Sequence, residues 1–119
     1  MLKKLNEVAV DERTAIYGGK GTVKMQHYFK SADFAAPIRM CARITIPPGG
    51  SIGEHAHLKE DEIYIVLAGN GVIVDNGKEL PIGAGDAILT GQGGKHGIMN
   101  NSEKDLVIAA IVILYQTKS

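Results

Sequence analysis

The sequence predicts an all-β fold, and three observations carry that expectation. Fifteen glycines are spread along 119 residues, which marks frequent tight turns rather than long helices. Ile38, Met40, Ala42, Ile44 and Ile46 alternate strictly with Arg39, Cys41, Arg43 and Thr45, the period of a half-buried strand. No segment of helical length keeps an apolar stripe at helical spacing.

Each element follows in order. Residues 1–17 read as an N-terminal arm or edge strand. Gly18-Gly19-Lys20-Gly21 is a flexible turn, and Thr22 to Phe29 a strand with Val23, Met25, His27 and Phe29 on one face. Ser31 to Pro37 reads as a loop. Pro47-Pro48-Gly49-Gly50 ends the strand from Ile38 to Ile46, because proline removes a ladder donor and glycine accepts turn dihedrals. Glu62 to Leu67 is a further strand, closed by Gly69-Asn70-Gly71. Val72 to Asp75 and Glu79 to Ile82 flank Asn76-Gly77, a tight-hairpin signal. Ala87 to Thr90 is short, and Gly91 to Gly94 turns. Leu106 to Tyr115 is apolar on both faces, so both faces need cover: the core on one side, the arm, a second layer or another subunit on the other. The count of about eight to ten strands implies a sandwich or barrel.

Composition narrows the partners. A chain of 119 residues suits one domain, so residues 1–119 are expected to form one. Thirteen basic and 13 acidic side chains cancel, which gives no electrostatic basis for binding nucleic acid or an anionic membrane. Self-association is not opposed by charge either. The single cysteine, Cys41, allows no internal disulfide and suits a reducing compartment. No signal-peptide core stands near Met1, and the longest apolar run spans ten residues, short of the about 20 of a membrane helix. A cytoplasmic protein is expected.

Three of the four histidines gather in two glycine-bounded segments. In the first, His55 and His57 stand two apart, so an extended chain aims both imidazoles the same way. Glu62 opens the next strand and brings a carboxylate; Glu60 and Asp61 compete with it by position alone. The second segment supplies His96 after a tight turn. Imidazole with carboxylate suits manganese, iron, cobalt, nickel, copper or zinc.

These spacings resemble the cupin superfamily. Its first motif, G-x5-H-x-H-x4-E-x6-G, is matched by Gly49, His55, His57, Glu62 and Gly69. Its second, G-x5-P-x-G-x2-H-x3-N, is matched by Gly85, Gly93, His96 and Asn100. Gly91 stands where the family has proline, which implies a looser turn before His96 but removes no ligand. The resemblance implies a double-stranded β-helix, the jelly-roll barrel of cupins, and one divalent metal ion held by His55, His57, Glu62 and His96. It also implies that the ion keeps open positions for water or substrate. Manganese or iron is the favoured ion, on likeness to one half of oxalate-decarboxylase-like bicupins.

The remaining polar residues are read more plainly. Glu60 and Asp61 suit a solvated acidic corner, and His27 a satisfied, partly buried position. Arg39 and Arg43 either lie on an exposed or subunit-contact face or offer a guanidinium fork to a carboxylate substrate. Tyr64 follows Glu62 at strand spacing and is a candidate pocket wall. Gln92 and Lys95 are turn residues. No catalytic acid or base stands out.

Cupins include decarboxylases, dioxygenases, isomerases and non-catalytic binders, so the resemblance leaves the chemistry open. One expectation is a metal-dependent decarboxylase or dioxygenase acting on a small anionic, oxygen-rich molecule such as oxalate. The other is a binding or sensing module for a small carboxylate or sugar acid. A homodimer is expected from the doubly apolar strand.

Overall fold

The structure is a computed structural model and describes residues 1–116; residues 117–119 of the expected domain lie outside the described residues. Ten strands follow in order: β1 (Asp11–Thr14), β2 (Thr22–Phe29), β3 (Ile38–Ile46), β4 (Ser51–Ala56), β5 (Glu60–Ala68), β6 (Asn70–Asp75), β7 (Lys78–Gly83), β8 (Ala87–Thr90), β9 (Lys95–Met99) and β10 (Leu106–Leu114). They form two antiparallel sheets of a jelly roll, ordered β1-β2-β3-β10-β5-β8 and β4-β9-β6-β7. Single 3₁₀ turns stand at Leu5–Glu7, Ile16–Gly18 and Ser31–Asp33.

Alternation builds the core. Ala42, Ile44 and Ile46 of β3 point inward and are buried, while Arg39 faces solvent and Cys41, Arg43 and Thr45 are half-buried. The inner face of β10 (Leu106, Ile108, Ala110 and Val112) is 0% exposed. Leu106, Ile108 and Ala110 meet Ile52, Ile73, Ile82 and Ile98 of the smaller sheet in one cluster. The Asn76-Gly77 hairpin forms as expected, with φ of 49° and 82° at its two turn residues, the left-handed pair of a type I′ turn.

Two features differ from the sequence reading. β4 and β9, which carry two of the four candidate ligands, are short and glycine-interrupted, and the sequence reading gives β9 only as a turn with a histidine after it. The N-terminal arm does not cover β10. β1 pairs with β2 at the sheet edge, and β2 and β3 stand between it and β10. Leu5 and Val8 carbonyls instead accept from the Gln26 amide at 3.4 and 3.2 Å.

One irregularity bears on the site. Opposite β10, Met40 pairs with Val112 and Ile38 with Ile113, so Arg39 is the extra residue of a bulge. A bulge bends the strand and re-aims a side chain. Among the described residues no helix is long and apolar enough to cross a membrane.

Candidate metal centre

The two sheets bring the four candidate ligands to one point. His55 on β4 stands directly opposite His96 on β9. Glu62 is an inward residue of β5, in the other sheet. His57 lies just past β4 and is pinned by its backbone: its N–H donates to the Gly94 carbonyl at 3.0 Å, and its carbonyl accepts from Gly93 at 3.2 Å. The first histidine segment is thereby stitched to the turn before His96. One ligand atom from each of His55, His57, Glu62 and His96 lies within 4.8 Å of all the others. His57, Glu62 and His96 are buried, at 3%, 4% and 1% exposure.

The donor set fits a cation. Glu62 Oε1 lies 2.9 Å from Nε2 of both His57 and His96, and those two nitrogens are 2.9 Å apart. His57 Nδ1 is 2.8 Å from Glu60 Oε1. An ionised carboxylate only accepts, so Nδ1 carries a proton, and the neutral tautomer with that proton presents a lone pair at Nε2. His96 Nδ1 is 2.9 Å from the Thr90 hydroxyl, and donating there leaves its Nε2 bare as well. Two lone pairs and an anionic oxygen then face one another in a buried space. A divalent cation resolves that arrangement, and neutral imidazoles are the form that ligates. Burial also pushes the His55 imidazole below its ordinary value, toward the same neutral form.

Rings fix the imidazoles from outside. Tyr64 stacks on His96 at 4.6 Å and Tyr17 on His55 at 4.0 Å. Tyr17 reaches His55 through a strained strap, since Ala15 and Tyr17 both hold left-handed backbone, with φ of 56° and 51°. Such residues cost about 1–3 kcal/mol each and persist where their surroundings over-determine them. Here the strap lies backbone against backbone on β4: a Cβ on Gly53 would collide with the Tyr17 carbonyl, and one on Gly19 with the Ser51 carbonyl.

Glu60 corrects an expectation. Instead of a solvated corner, its carboxylate is 13% exposed and binds on both sides, to His57 and, through two 2.9 Å hydrogen bonds, to the Arg39 fork. Arg39 in turn holds the Glu60 carboxyl below its usual range. An H-x-x-E spacing is all the sequence offered of this link, and it competes with two adjacent acids. Asp61 likewise is engaged, accepting from the Tyr115 hydroxyl at 2.6 Å.

That contact bears on Gly91. The Tyr115 hydroxyl also accepts from the Gln92 N–H at 2.8 Å, and a Cβ at Gly91 would collide with the Asp61 carboxylate. The turn that lacks the family proline is therefore tied down by side chains occupying the space a larger residue would need.

A cavity of about 240 Å³ opens over the site. Arg39 and Tyr64 line it, with His55, His57 and Glu62 at its floor. Arg43 does not line it and sits half-buried, paired with Gln26 and Ala109 on neighbouring strands. Sequence reasoning missed Arg13, which β1 brings to the cavity wall, and Ile16 and Tyr17, which the strap delivers there; no motif marks them. Burial first, then the Glu62 carboxylate, pushes the Tyr64 phenol well above its ordinary value, which keeps it protonated.

A jelly roll with this histidine–glutamate cluster defines a cupin. The Cupin_2 family model, a cupin domain, matches residues 42–113, and the chain belongs to that family. It is 40% identical over 114 residues to an oxalate-binding protein of Thermotoga maritima, covering 96% of this chain and 94% of the relative. A crystal structure of a predicted oxalate decarboxylase from Thermotoga maritima superposes with a TM-score of 0.93 at 40% identity, over 96% of this chain and 99% of that one. The polyketide cyclase RemF of Streptomyces resistomycificus shares the fold at 20% identity and a TM-score of 0.75, over 98% of this chain and 81% of its own.

Proposed function

We propose that this cupin binds a small carboxylate through one divalent transition metal ion held by His55, His57, Glu62 and His96. The convergence of two imidazole lone pairs and a carboxylate oxygen beneath an open cavity carries the proposal. When bound, the ion supplies a Lewis acid on which two ligand oxygens replace water. Mixed imidazole–carboxylate donors suit manganese, iron, zinc, nickel, cobalt or copper, and the likeness to oxalate-decarboxylase-like cupins favours manganese or iron among them. Oxalate is the acid named for the Thermotoga relative and is the first ligand to test. Calorimetry of metal-loaded protein is expected to show one oxalate per chain, and no heat at confirmed metal content would overturn the carboxylate reading.

Binding is favoured over turnover by the lining. Glu62 is the one carboxylate among the described lining residues, and it is a proposed ligand. The phenols of Tyr17 and Tyr64 are the remaining proton carriers there. A metal-dependent decarboxylase or dioxygenase is the second reading, favoured by the relative described as a predicted oxalate decarboxylase. Product analysis after incubating loaded protein with oxalate separates the two.

The ligand is a small molecule, the compartment proposed is the cytoplasm, and the assembly proposed is a homodimer. The outward face of the larger sheet carries Ile63, Ile111 and Ile113, half-buried, beside Ile65 and Leu67 at 37% and 46% exposure. Burying such apolar area contributes about 25 cal/mol per Å², and a second copy presents the same surface in self-complementary form. Sedimentation equilibrium is expected to give twice the 12.7 kDa of one chain. A monomer mass at micromolar concentration would overturn the dimer.

A further inference from the structure

His55 is held differently from the other candidate ligands. His57, Glu62 and His96 are buried, and the side chains of Glu60 and Thr90 fix the two imidazoles among them. His55 is half-buried, and its Nδ1 meets backbone, 2.8 Å from the Gly53 carbonyl. A carbonyl oxygen only accepts, so Nδ1 carries the proton there, and the neutral ring keeps its lone pair at Nε2. One hydrogen bond sets the plane of such a ring loosely, because χ2 of histidine is a broad, roughly two-fold torsion.

The rest of the hold comes from outside β4. The strap lies so close to Gly53 that a Cβ there would collide with the Tyr17 carbonyl and stand 3.1 Å from the Gly19 nitrogen. A second join adjoins it. The Lys20 N–H donates to the Ser51 hydroxyl at 2.8 Å, and the Ser51 N–H donates to the Lys20 carbonyl at 2.9 Å. From this anchored backbone the Tyr17 ring lies over the imidazole at 4.0 Å, 12° from parallel. Tyr17 is nevertheless 64% exposed. A ring so exposed gains little from leaving water, so burial does not account for its place on left-handed backbone. The stack on His55 does.

We propose that Tyr17 is a positioning residue for the metal centre. Its ring holds the His55 imidazole in the plane where Nδ1–H meets Gly53 and Nε2 stays bare for an ion. The proposal rests on the four-ligand reading above and adds to it a residue outside the ligand set.

The test begins with metal-free protein, so that neither an ion nor a ligand enters the comparison. Nitrogen-15 NMR of the histidine rings at about pH 8, above the ordinary histidine pKa of about 6.5, reads the tautomer of each. Wild-type His55 is expected to show the Nδ1–H form. In Tyr17→Ala its two ring nitrogens should move toward a mixture of tautomers, while His57 and His96 keep their wild-type signals. Tyr17→Phe, which retains the ring and loses the hydroxyl, should match wild type. An unchanged His55 in Tyr17→Ala, or equal changes in all three rings, would overturn the proposal, as would a Phe variant that behaves like Ala. Competition for manganese against a chelator supplies the second reading. Tyr17→Ala should bind about tenfold more weakly, the low end for a group one step removed from the ion, and Tyr17→Phe within about twofold of wild type. Equal affinity in Tyr17→Ala and wild type would overturn a role at the metal centre. Failure of wild type itself to take up manganese or any other divalent transition ion would instead overturn the four-ligand reading.

Discussion

Replacing His57 with alanine is expected to lower the bound metal at least tenfold, as read by elemental analysis of purified protein. Of the four candidate ligands, His57 is held at every point. Its backbone is locked to Gly93 and Gly94, its Nδ1–H is given to Glu60, and its Nε2 meets Glu62 and His96 at 2.9 Å. An imidazole held this way loses little freedom on ligation, so its removal deletes a preorganised donor. Loss of a directly ligating group should exceed the low end of the 10–100-fold typical for groups one step removed. The thermal consequence follows by mass action. Metal at 100 times its dissociation constant stabilises the folded state by about 2.7 kcal/mol, and a tenfold weaker site at the same concentration by about 1.4, so manganese should raise the melting point of His57→Ala by no more than about half as much as that of the wild type. A variant that retains full metal content would overturn the ligand assignment.

Glu60 holds the candidate metal centre from one bond further out. Glu60→Ala is expected to weaken metal affinity by about 10–100-fold, measured by competition with a chelator of known affinity. Without the carboxylate, Nδ1 of His57 loses the partner that fixes its tautomer, and Nε2 can carry the proton instead. Glu60→Gln keeps an acceptor for Nδ1–H but gives up the anion that Arg39 grips, so its loss should be intermediate. Arg39→Ala leaves Glu60 in place as the acceptor for Nδ1–H, so its loss should be smaller than that of either Glu60 variant. Equal affinity in Glu60→Ala and wild type would mean that the tautomer is fixed elsewhere. Metal binding is the readout, so the comparison holds whether or not the protein turns over its ligand.

The parts of this molecule legible in the sequence are those with a repeating or fixed spacing. β3 and β8 were bounded to the residue, because alternation and flanking turns are local signals. The four candidate ligands were legible because an H-x-H pair, an acid five residues on and a histidine after a glycine turn have a definite spacing. Glu60 was not, since its partner Arg39 lies 21 residues away in sequence and its position depends on a bulge that skips Arg39 in the ladder. Bulges change which face a residue serves, so reading Arg39 and Arg43 as equivalent neighbours on one face fails at that point. Tyr17 was invisible for a related reason. Its place over His55 depends on left-handed backbone at Ala15 and Tyr17 and on Gly19 and the distant Gly53, which admit the strap, none of which leaves a pattern in the strap itself. The clasp of Tyr115, Asp61 and Gln92 joins three distant segments, and only the fold reveals that it occupies the room of the family proline.

The strap has an evolutionary consequence. Residues 15–19 shape the rim of the ligand chamber, yet they precede the stretch at 42–113 that matches the family model. The four candidate ligands and this part of the cavity wall therefore lie in separate stretches of the chain, while Ile44, Ile52 and Tyr64 of the same wall fall inside the matched stretch. Substitutions at Ile16 or Tyr17 can reshape the cavity while the four candidate ligands stay untouched, a separation that would let one cupin barrel acquire different ligand preferences.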